Sequence, residues 1–541
     1  MSLKTAHIFL VLCMAMLTKG YSQSFQWAQR VGGTDWDYGT AVAVDPSGNV
    51  YHAGNFKGTV DFDPGTAVFN MSSVNIQGIF ISKLDASGNF IWAKQLDGQG
   101  WEECNDITID ASGHIYVTGF FLGVTDFDPS SGSSSLVSSG GGDAFICKLD
   151  TSGGFIWAKQ FTGTLAVNSY SISTDSSGNV YTTGFFDGTA DFDPAATTHN
   201  LTVVGYSDIF VSKLDSAGNF VWIRQMSGTD GEGGYAIAVD DTGNVYTTGT
   251  FFGTVDFDPG SAIYTLSSPG AQEIYITKLD ASGNFMWAKP MGGITGYAIA
   301  LDRWGNVYTT GYYGWGDISV NKLDRSGNSI WSKQIGAFIG YSIDIDPNSN
   351  IYITGQFYGT EDFDPGNGTF NLTAIGSTDS YITKLDSAGQ LLWAGQLGGV
   401  NEVQSRSLAV DGNGNVYTTG YFDQTADFDP SATAFTLTST GSYDIFLQKM
   451  DGGNLGLEED NFSEALKTYP NPTYGRFFVE FGQEQRDLSL VVRNISGGIV
   501  AKEFVRSARR VQLQINEGAG IYLLEISDQD HNRRIIPIVK R

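Results

Sequence analysis

The chain has 541 residues and carries 58 acidic against 31 basic residues, which gives a formal net charge of −27. Because the segment from Glu458 onward contains 12 residues of each sign, the whole excess of negative charge lies before it. Such a surface repels phosphate backbones and argues against nucleic-acid binding. The length, the 69 glycines and the 13% aromatic content indicate several domains or a repeat built from short strands and turns.

Residues 1–22 have the pattern of a signal peptide that is removed on export. Lys4 provides the positive charge, and residues 8–17 form an apolar run too short to span a bilayer. Gly20 and Ser22 are small residues suited to cleavage after Ser22. No later stretch approaches 18 consecutive apolar residues, so we expect a soluble mature protein with no membrane span.

A turn-and-strand phrase typified by DPSGNVY occurs seven times. Its aspartates are Asp45, Asp110, Asp175, Asp240, Asp302, Asp346 and Asp411, spaced by 65, 65, 65, 62, 44 and 65 residues. A second phrase, typified by DIFVSKLDSAGNFVWIRQ, places its lysine at Lys83, Lys148, Lys213, Lys278, Lys322, Lys384 and Lys449. Each repeat therefore predicts four strands: a small apolar strand a, strand b (NVYTTG), strand c (IFISKLD) and strand d (NFIWAKQ). Turns of the D-x-S-G-N type join a to b and c to d.

The phase of the repeat predicts a closed ring. The mature chain begins with FQWAQRVGG around Trp27, a strand d with no a, b or c strand before it. The last repeat ends with the strand c around Lys449, which no tryptophan strand follows. The N-terminal strand would complete this last unit and remove exposed strand edges. We therefore predict an all-β fold, with a seven-bladed β-propeller of four-stranded blades over residues 23–455, closed by the N-terminal strand.

The phrases D-x-S-G-N-V-Y and K-L-D-x-S-G-N-F-x-W-A-K-Q resemble the SBBP β-propeller repeat over about residues 25–455. The resemblance implies an extracellular propeller and specifies no activity. One tryptophan recurs in strand d of each repeat, and we interpret it as packing between blades rather than as a platform for carbohydrate.

Six repeats insert the phrase DFDP between strands b and c, and the fifth omits it, so we expect the insert to be a decoration of the fold. The paired carboxylates belong to Asp61 and Asp63, Asp126 and Asp128, Asp191 and Asp193, Asp256 and Asp258, Asp362 and Asp364, and Asp427 and Asp429. A further acid stands five residues before the lysine at Asp143, Asp208, Glu273, Asp317, Asp379 and Asp444, with Gly78 in the first repeat. These oxygens suit a hard cation such as Ca²⁺. Because no D-x-D-x-D-G loop is present, an Asp-Pro turn with solvated acids is the favoured alternative.

Enzyme signatures are sparse. The chain has no H-E-x-x-H, G-x-x-x-x-G-K-[ST] or G-x-S-x-G motif. Strand a, the expected channel lining, is small and apolar with Asp344 as the odd carboxylate, which makes no acid–base pair. His52 stands where other repeats have Thr, and we expect it at the surface. Cys104 and Cys147 lie in one repeat with a strand between them, at about 10 Å, so we expect free thiols.

After a linker at residues 456–463, alternating apolar residues and Gly/Asn turns over residues 464–541 predict a small Ig-like β-sandwich. Pro470, Asn471, Pro472 and Gly475, followed by G-I-Y-L-L and a basic end, resemble the type A sorting domain of the type IX secretion system. The resemblance implies that this machinery exports the protein in a Bacteroidota-type bacterium and removes the domain. The product would then be released or attached to surface lipopolysaccharide.

For function, we expect a secreted or surface-attached binding protein that is not an enzyme. It would act as an adhesion or glycan-interaction module, with a surface polysaccharide or a protein as ligand and a monomeric propeller. The alternatives are a secreted hydrolase or lyase with its site at the channel mouth, and a structural cell-surface component. No cofactor other than Ca²⁺ is indicated.

Overall fold

A computed structural model describes residues 23–268, 270–314, 316–431, 433–452, 467–494, 499–527 and 533–541. They belong to two compact bodies, one within Ser22–Gly452 and one that contains the described residues from 467 onward. Both are built from β-strands, and none of the described residues forms a helix long and apolar enough to cross a membrane. The predicted signal peptide at residues 1–22 and the linker at residues 456–463 lie outside the described residues.

In the larger body, each repeat forms four antiparallel strands in the order a, b, c and d. Strand a spans Asp37–Val44, Trp101–Ile109, Val167–Thr174, Gly233–Val239, Thr295–Leu301, Ile339–Ile345 and Val403–Val410. Strand b spans Val50–Phe56, Ile115–Leu122, Val180–Asp191, Val245–Phe251, Val307–Gly314, Ile351–Phe357 and Val416–Phe422. Strand c spans Gly78–Leu84, Asp143–Leu149, Asn200–Leu214, Glu273–Leu279, Asp317–Leu323, Asp379–Leu385 and Asp444–Met450. Strand d of repeats 1 to 6 spans Phe90–Gly98, Phe155–Gly163, Phe220–Gly228, Phe285–Pro290, Ser329–Gly336 and Leu391–Gly399.

The seventh repeat pairs with a strand from the N-terminus. Phe25–Val31 lies antiparallel to strand c at Asp444–Met450, and the register places Trp27 opposite Lys449. In the first repeat, the tryptophan of strand d lies opposite the lysine of strand c in the same way. The N-terminal strand therefore has both the sequence and the pairing of a strand d.

One aspartate closes the a–b turn and explains the D-x-S-G-N-V-Y phrase. In the first repeat, Asp45 Oδ1 accepts hydrogen bonds from the backbone N–H groups of Ser47 and Asn49, both at 2.9 Å. Its Oδ2 accepts from the Asn49 side chain at 2.8 Å and from the Tyr51 hydroxyl at 3.2 Å. Gly48 adopts a φ of 78°, a conformation that a Cβ atom disfavours. The Asp, Ser, Gly, Asn and Tyr of the phrase thus have partners within their own turn.

The lysine of strand c and the tryptophan of strand d connect one repeat to the next. Lys148 Nζ and Trp157 Nε1 donate to the same carbonyl oxygen in the c–d turn of the following repeat, at 3.0 and 3.3 Å. Lys449 and Trp27 donate in the same way to the carbonyl oxygen of Ala86 in the first repeat, at 2.9 and 3.3 Å. These contacts agree with the interpretation of the tryptophans as packing between repeats.

The DFDP inserts are hairpins, and most of them pair with strand d of the preceding repeat. Their strands are Thr59–Asp61 with Asn70–Ser72, Val124–Asp126 with Ser135–Val137, Thr254–Asp256 with Thr265–Ser267, Thr360–Asp362 with Asn371–Thr373, and Thr425–Asp427 with Thr436–Thr438. In the third repeat the hairpin continues strands b and c. Thr125 pairs with Gly98, and Asp256 pairs with Ser227. The inserts are therefore more than decoration, because they add pairing between neighbouring repeats.

The length of strand d depends on whether an insert meets it. Strand d has nine residues in repeats 1, 2, 3 and 6, where the next insert pairs with its end. It has six residues in repeat 4, which precedes the repeat without an insert, and it ends at Pro290. Proline has no N–H for a ladder, so the strand stops where no partner strand follows.

The smaller body is one five-stranded antiparallel sheet. Its strands are Lys467–Tyr469, Arg476–Asn494, Ile499–Gln514, Gly520–Ser527 and Arg533–Lys540. The longest strand is irregular between Glu480 and Gln485, and buried residues on both sides of this point, including Val479 and Leu490, belong to one core. The strands therefore pair as one sheet with a single core, and the Ig-like sandwich stays a prediction.

Candidate functional site

The candidate site is a cavity of about 370 Å³ that is lined by the a strands of all seven repeats. Each strand a contributes one side chain located five residues before the aspartate of its a–b turn. These residues, called the cavity ring below, are Thr40, Asn105, Tyr170, Tyr235, Tyr297, Tyr341 and Arg406. All seven are half-buried, so they remain accessible from the cavity.

A β-bulge in strand a positions each residue of the cavity ring. In the third repeat the pairing of strands a and b shifts register between Ser169 and Ser171, which leaves Tyr170 without a partner in the ladder. The same shift surrounds the ring residue in the other six repeats. Bulges re-aim side chains and are common beside functional sites. A regular scaffold thus brings seven side chains of four residue types to one level of the cavity.

Four tyrosines and an arginine from consecutive repeats form a continuous arc. The ring centroids of Tyr170 and Tyr235 are 5.1 Å apart, and those of Tyr235 and Tyr297 are 5.9 Å apart. The centroids of Tyr297 and Tyr341 are 5.5 Å apart, and the guanidinium carbon of Arg406 lies 4.4 Å from the Tyr341 centroid. We call these five residues the tyrosine–arginine arc.

Small polar side chains complete the cavity ring. Thr40 Oγ1 donates to the carbonyl oxygen of Cys104 at 2.8 Å. Asn105 Nδ2 donates to the side-chain oxygen of Asn168 and to the carbonyl oxygen of Ser169, both at 2.9 Å. Because these side chains are short and held against neighbouring strands, they fill less of the cavity than the tyrosines do.

Among the carboxyl groups of the a strands, Asp344 was identified from the sequence, and a second one, Asp106, lines the cavity. Its Oδ2 accepts from Ser171 Oγ at 2.8 Å and from the Ile172 N–H at 2.9 Å. Asp344 Oδ2 accepts from the Val410 N–H at 2.8 Å. Burial raises the pKa of each carboxyl group to about 6, and their hydrogen bonds oppose this shift. Each carboxylate joins its own strand to strand a of the next repeat.

Each DFDP loop uses its two carboxylates to close its own turn. Asp61 Oδ1 accepts from the N–H groups of Asp63 and Phe69 at 3.1 and 2.8 Å, and Asp63 Oδ1 accepts from the Gly65 N–H at 2.8 Å. The same pattern holds at Asp126 and Asp128, Asp191 and Asp193, Asp256 and Asp258, Asp362 and Asp364, and Asp427 and Asp429. Across the described part of the chain, no three His, Cys, Asp or Glu side chains form a group that could hold a metal ion. Since Ca²⁺ takes about six to eight oxygen ligands, two carboxylates per loop fit a turn better than a cation site.

The further acid before the lysine has a separate structural use. Asp143 accepts hydrogen bonds from the N–H groups of Ser139 and Gly163, at 2.9 and 3.0 Å, and so fixes the loop before strand c to the end of strand d. Gly78 stands at this position in the first repeat and lacks a carboxylate. There Asp97 of strand d replaces it and accepts from the equivalent loop N–H at 2.6 Å.

Some buried ionisable groups were not predicted. His52, expected at the surface, is buried with its Nε2 2.9 Å from Ser82 Oγ, and burial lowers its pKa to about 3. Glu232 is also buried and lies near Asp208 of the preceding repeat. Burial, followed by the charge of Asp208, raises the pKa of Glu232 to about 9. Most other repeats have uncharged residues at these positions, so no repeated pattern marked them.

In the smaller body, the predicted sorting motif is a turn before the longest strand. Its residues are Pro470, Asn471, Pro472 and Gly475. Asn471 Oδ1 accepts from the Val539 N–H at 2.9 Å, which ties the start of this body to its last strand. Gly475 adopts a φ of 118°, a region that favours glycine.

Known families match both bodies. Residues 26–55, 156–184, 330–356 and 392–421 match the SBBP beta-propeller repeat, and residues 467–539 match the secretion system C-terminal sorting domain. The chain contains SBBP β-propeller repeats and a C-terminal sorting domain. Each SBBP match runs from a strand d through the following strand a into strand b, and the first match includes the N-terminal strand.

Two relatives of this chain share 25% sequence identity with it. The uncharacterized WD repeat-containing protein L264 of Acanthamoeba polyphaga mimivirus aligns with 89% of this chain and 38% of its own length. The regulatory protein FlaEY of Caulobacter vibrioides aligns with 26% of this chain and 15% of its own length. The chain thus spans less than half of either relative. Among solved structures, the Dos1 propeller covers 80% of this chain and 97% of its own, at 8% identity and a TM-score of 0.38.

Proposed function

We propose that the protein is an exported binding protein whose ligand enters the cavity lined by the seven a strands. The observation that carries this proposal is the set of seven bulges, each of which directs one varied side chain to the same level of the cavity. Side chains that only packed a core would be uniformly apolar, whereas the cavity ring holds tyrosine, arginine, threonine and asparagine. The SBBP repeats and the sorting domain support a secreted, cell-surface propeller protein.

The proposed architecture is a seven-bladed ring that Phe25–Val31 closes. Its support is that Lys449 and Trp27 donate to Ala86, so the last and first repeats share the contact found between successive repeats. A cavity lined by strand a of every repeat also fits a closed ring. Closure through the N-terminal strand covers the edge of strand c in the seventh blade, as strand d does in the other six.

We propose that the type IX secretion system of a Bacteroidota-type bacterium delivers the protein. The support is the match of residues 467–539 to a secretion sorting domain, together with the signal-peptide pattern of residues 1–22. The mature propeller would be released or attached to surface lipopolysaccharide. A stop codon after Glu458 should leave a folded propeller in the periplasm, and surface delivery of that truncated protein would contradict the assignment.

We propose that the cavity binds its ligand without chemical turnover. The support is that Asp106 and Asp344 each accept a backbone N–H from the next strand, so neither is placed as a free general acid or base. A hydrolase or lyase at the channel mouth is the alternative class, and product formation from a bound ligand would favour it.

Binding of the mature protein to immobilised polysaccharides and extracellular proteins tests the cavity proposal. A variant carrying Tyr170→Ala, Tyr235→Ala and Tyr297→Ala should lose its ligand. The matched control carries Tyr206→Ala and Tyr264→Ala, which remove exposed tyrosines of two inserts, and it should bind normally. Loss in the control with retention in the arc variant would move the site to the inserts. A protein that binds none of the probes would instead favour a structural cell-surface component.

A further inference from the structure

We propose that the tyrosine–arginine arc binds a carboxylated sugar, such as a uronic acid at the end of an acidic polysaccharide. This inference rests on the proposed binding function and specifies its ligand class. The carboxylate would pair with Arg406, and the sugar ring would lie against the tyrosines of the arc.

Arg406 is the one basic residue among the described residues that line the cavity. It is half-buried, and within the described chain it forms no ion pair. Its Nη1 donates to Gln404 Oε1 at 3.2 Å, and its guanidinium lies over the ring of Tyr341. A guanidinium has five N–H donors in a planar fork that matches a carboxylate. Most of these donors remain available, and the stacking on Tyr341 orients the fork.

A single positive charge suits a ligand unit that carries a single negative charge. A phosphate ester would bring about two negative charges into a cavity whose wall also contains Asp106. A cationic ligand would be repelled by Arg406. The acidic surface of the protein repels polyanions at long range. At physiological salt this repulsion is screened over about 8 Å, so the short-range contact with Arg406 determines whether an acidic ligand binds.

The tyrosines supply the rest of a sugar-binding surface. Neighbouring rings in the arc are tilted by 38° to 58°, so they form a curved aromatic wall. The hydroxyls of Tyr170 and Tyr235 make no hydrogen bond within the described residues, which leaves them free for ligand hydroxyls. Aromatic faces pack against the C–H groups of a sugar while phenol groups bond its hydroxyls. At about 370 Å³, the cavity lies near the lower limit of ligand pockets, a size for one or two sugar rings.

A peptide with a free C-terminus would present the same carboxylate. Each strand a is the terminal strand of its sheet, and only its edge toward strand b has a partner strand. On the other edge, side chains of the preceding repeat accept backbone N–H groups, as Asp106 does from Ile172 at 2.9 Å and Asp344 from Val410 at 2.8 Å. The structure favours the sugar because an extended peptide that paired with strand a would have to displace these bonds. The continuous wall of tyrosine rings beside Arg406 offers stacking surface instead.

Calorimetric titration of the full mature protein with digalacturonate, its methyl ester and a neutral disaccharide tests the proposal. The acid should bind at least about tenfold more tightly than the ester, because only the acid forms a charge-assisted pair. Arg406→Gln should remove this preference, and Arg406→Lys should weaken it because the planar fork is lost. Tyr235→Phe removes one hydroxyl and should weaken the binding of the acid and of its ester by about threefold to tenfold. As a control, Arg303→Gln changes an arginine that stacks on Trp304 in a different cavity, and it should bind like the wild type.

Equal affinity for acid and ester, or a preference that survives Arg406→Gln, would overturn the proposal. So would Arg406-dependent binding of a peptide with a free C-terminus, if none of the sugars binds; the cavity would then remain the binding site. If the triple tyrosine variant keeps every ligand of the wild type, the proposed function itself fails. Melting curves verify the fold of each variant. If Arg406→Gln does not fold, the affinities of Arg406→Lys for the acid and for the ester test the proposal instead.

Discussion

The a–b turn and the bulge lie at two points of the same strand and follow opposite rules. At the turn, the aspartate is present in all seven repeats and the tyrosine two residues after the asparagine position recurs with it. At the bulge, five residues before that aspartate, four repeats have tyrosine and the others have threonine, asparagine or arginine. The repeated position builds the fold, and the varied position is available for a ligand.

The difference follows from where the partners of each side chain lie. The turn aspartate bonds to atoms within its own repeat, so every copy of the turn needs the same residue. A bulged side chain faces other repeats across the cavity, so its copies can differ without disturbing the ladder. An internal repeat therefore separates the positions that build the fold from the positions that can vary, within a single chain.

Removing the N-terminal strand should produce the largest effect on the structural side of this comparison. Deletion of residues 25–33 removes Trp27, its contact with Ala86 and the pairing to strand c of the seventh repeat. We expect a broad unfolding transition at a much lower melting temperature, measured by calorimetry. Truncation after Glu458 is the control and should leave the propeller transition in place. A deletion variant that melts like the full propeller would refute ring closure.

A matched pair of alanine variants in the third repeat compares the two positions directly. Asp175 accepts four hydrogen bonds of 2.8 to 3.0 Å from Ser177, Asn179 and Tyr181. Asp175→Ala should therefore lower the free energy of unfolding by about 2 kcal/mol, measured in urea, with ligand affinity unchanged. Tyr170→Ala should do the reverse, with a smaller loss of stability and a clear loss of affinity. Equal destabilisation by the two changes would make the bulge a structural feature as well.

The parts of the fold that could be predicted are those whose interactions stay within one repeat. The D-x-S-G-N phrase places both partners of each turn a few residues apart, and it gave the strands and their order. Cys104 and Cys147 are free, as predicted from strand spacing, and both are buried. The pairing of an insert with the preceding strand d was not predicted, because its partner lies in another repeat. Pro290 in the sequence would have indicated that strand d of the fourth repeat ends there.

The cavity ring was missed because strand a was interpreted as a small apolar strand. Period-two alternation assigns side chains to faces, and a bulge shifts that alternation by one residue. The four tyrosines of the arc nevertheless share one offset from their turn aspartates: Tyr170, Tyr235, Tyr297 and Tyr341. This repeated offset would have identified the position of the cavity ring in each repeat. Asp106 was overlooked for the same reason, since other repeats have serine or alanine there.

An intermediate effect on the melting temperature is expected from Glu232, a buried carboxyl group outside the cavity ring. The pKa of Glu232 is raised from 4.5 to about 9, first by burial and then by the charge of Asp208. The folded protein thus holds this proton to higher pH than the unfolded chain, so stability falls as pH rises from about 4.5 toward 9. Glu232→Gln should reduce the fall in melting temperature between about pH 4.5 and about pH 9, the two limits of this window. Asp241→Asn, at an exposed position of the same repeat, is the control, and an unchanged pH profile for Glu232→Gln would contradict the assignment.

The smallest effect is expected at the DFDP loops, where turn and cation interpretations predict different results. If the loops bind Ca²⁺, binding to the native chain alone would stabilise it by about 2.7 kcal/mol per site at a hundredfold excess over Kd. In the turn interpretation, millimolar calcium and a chelator leave the melting temperature unchanged. Asparagine can still accept the N–H bonds that Asp126 receives, so Asp126→Asn should lower the free energy of unfolding by less than about 0.5 kcal/mol. Asp126→Ala leaves two N–H groups without their acceptor and should lower it by about 1 kcal/mol.

The fifth repeat provides an internal control for the same question, because it keeps Asp317 but has no DFDP pair. Calcium titration by calorimetry should find no sites if the carboxylates only close turns, and at most six if the inserts bind the ion. In the second case, Asp126→Asn with Asp128→Asn should remove one site while the turn itself persists. A chelator-sensitive melting temperature that these two changes leave intact would place the cation elsewhere. Because each Oδ1 already accepts backbone N–H groups, we expect the titration to be flat.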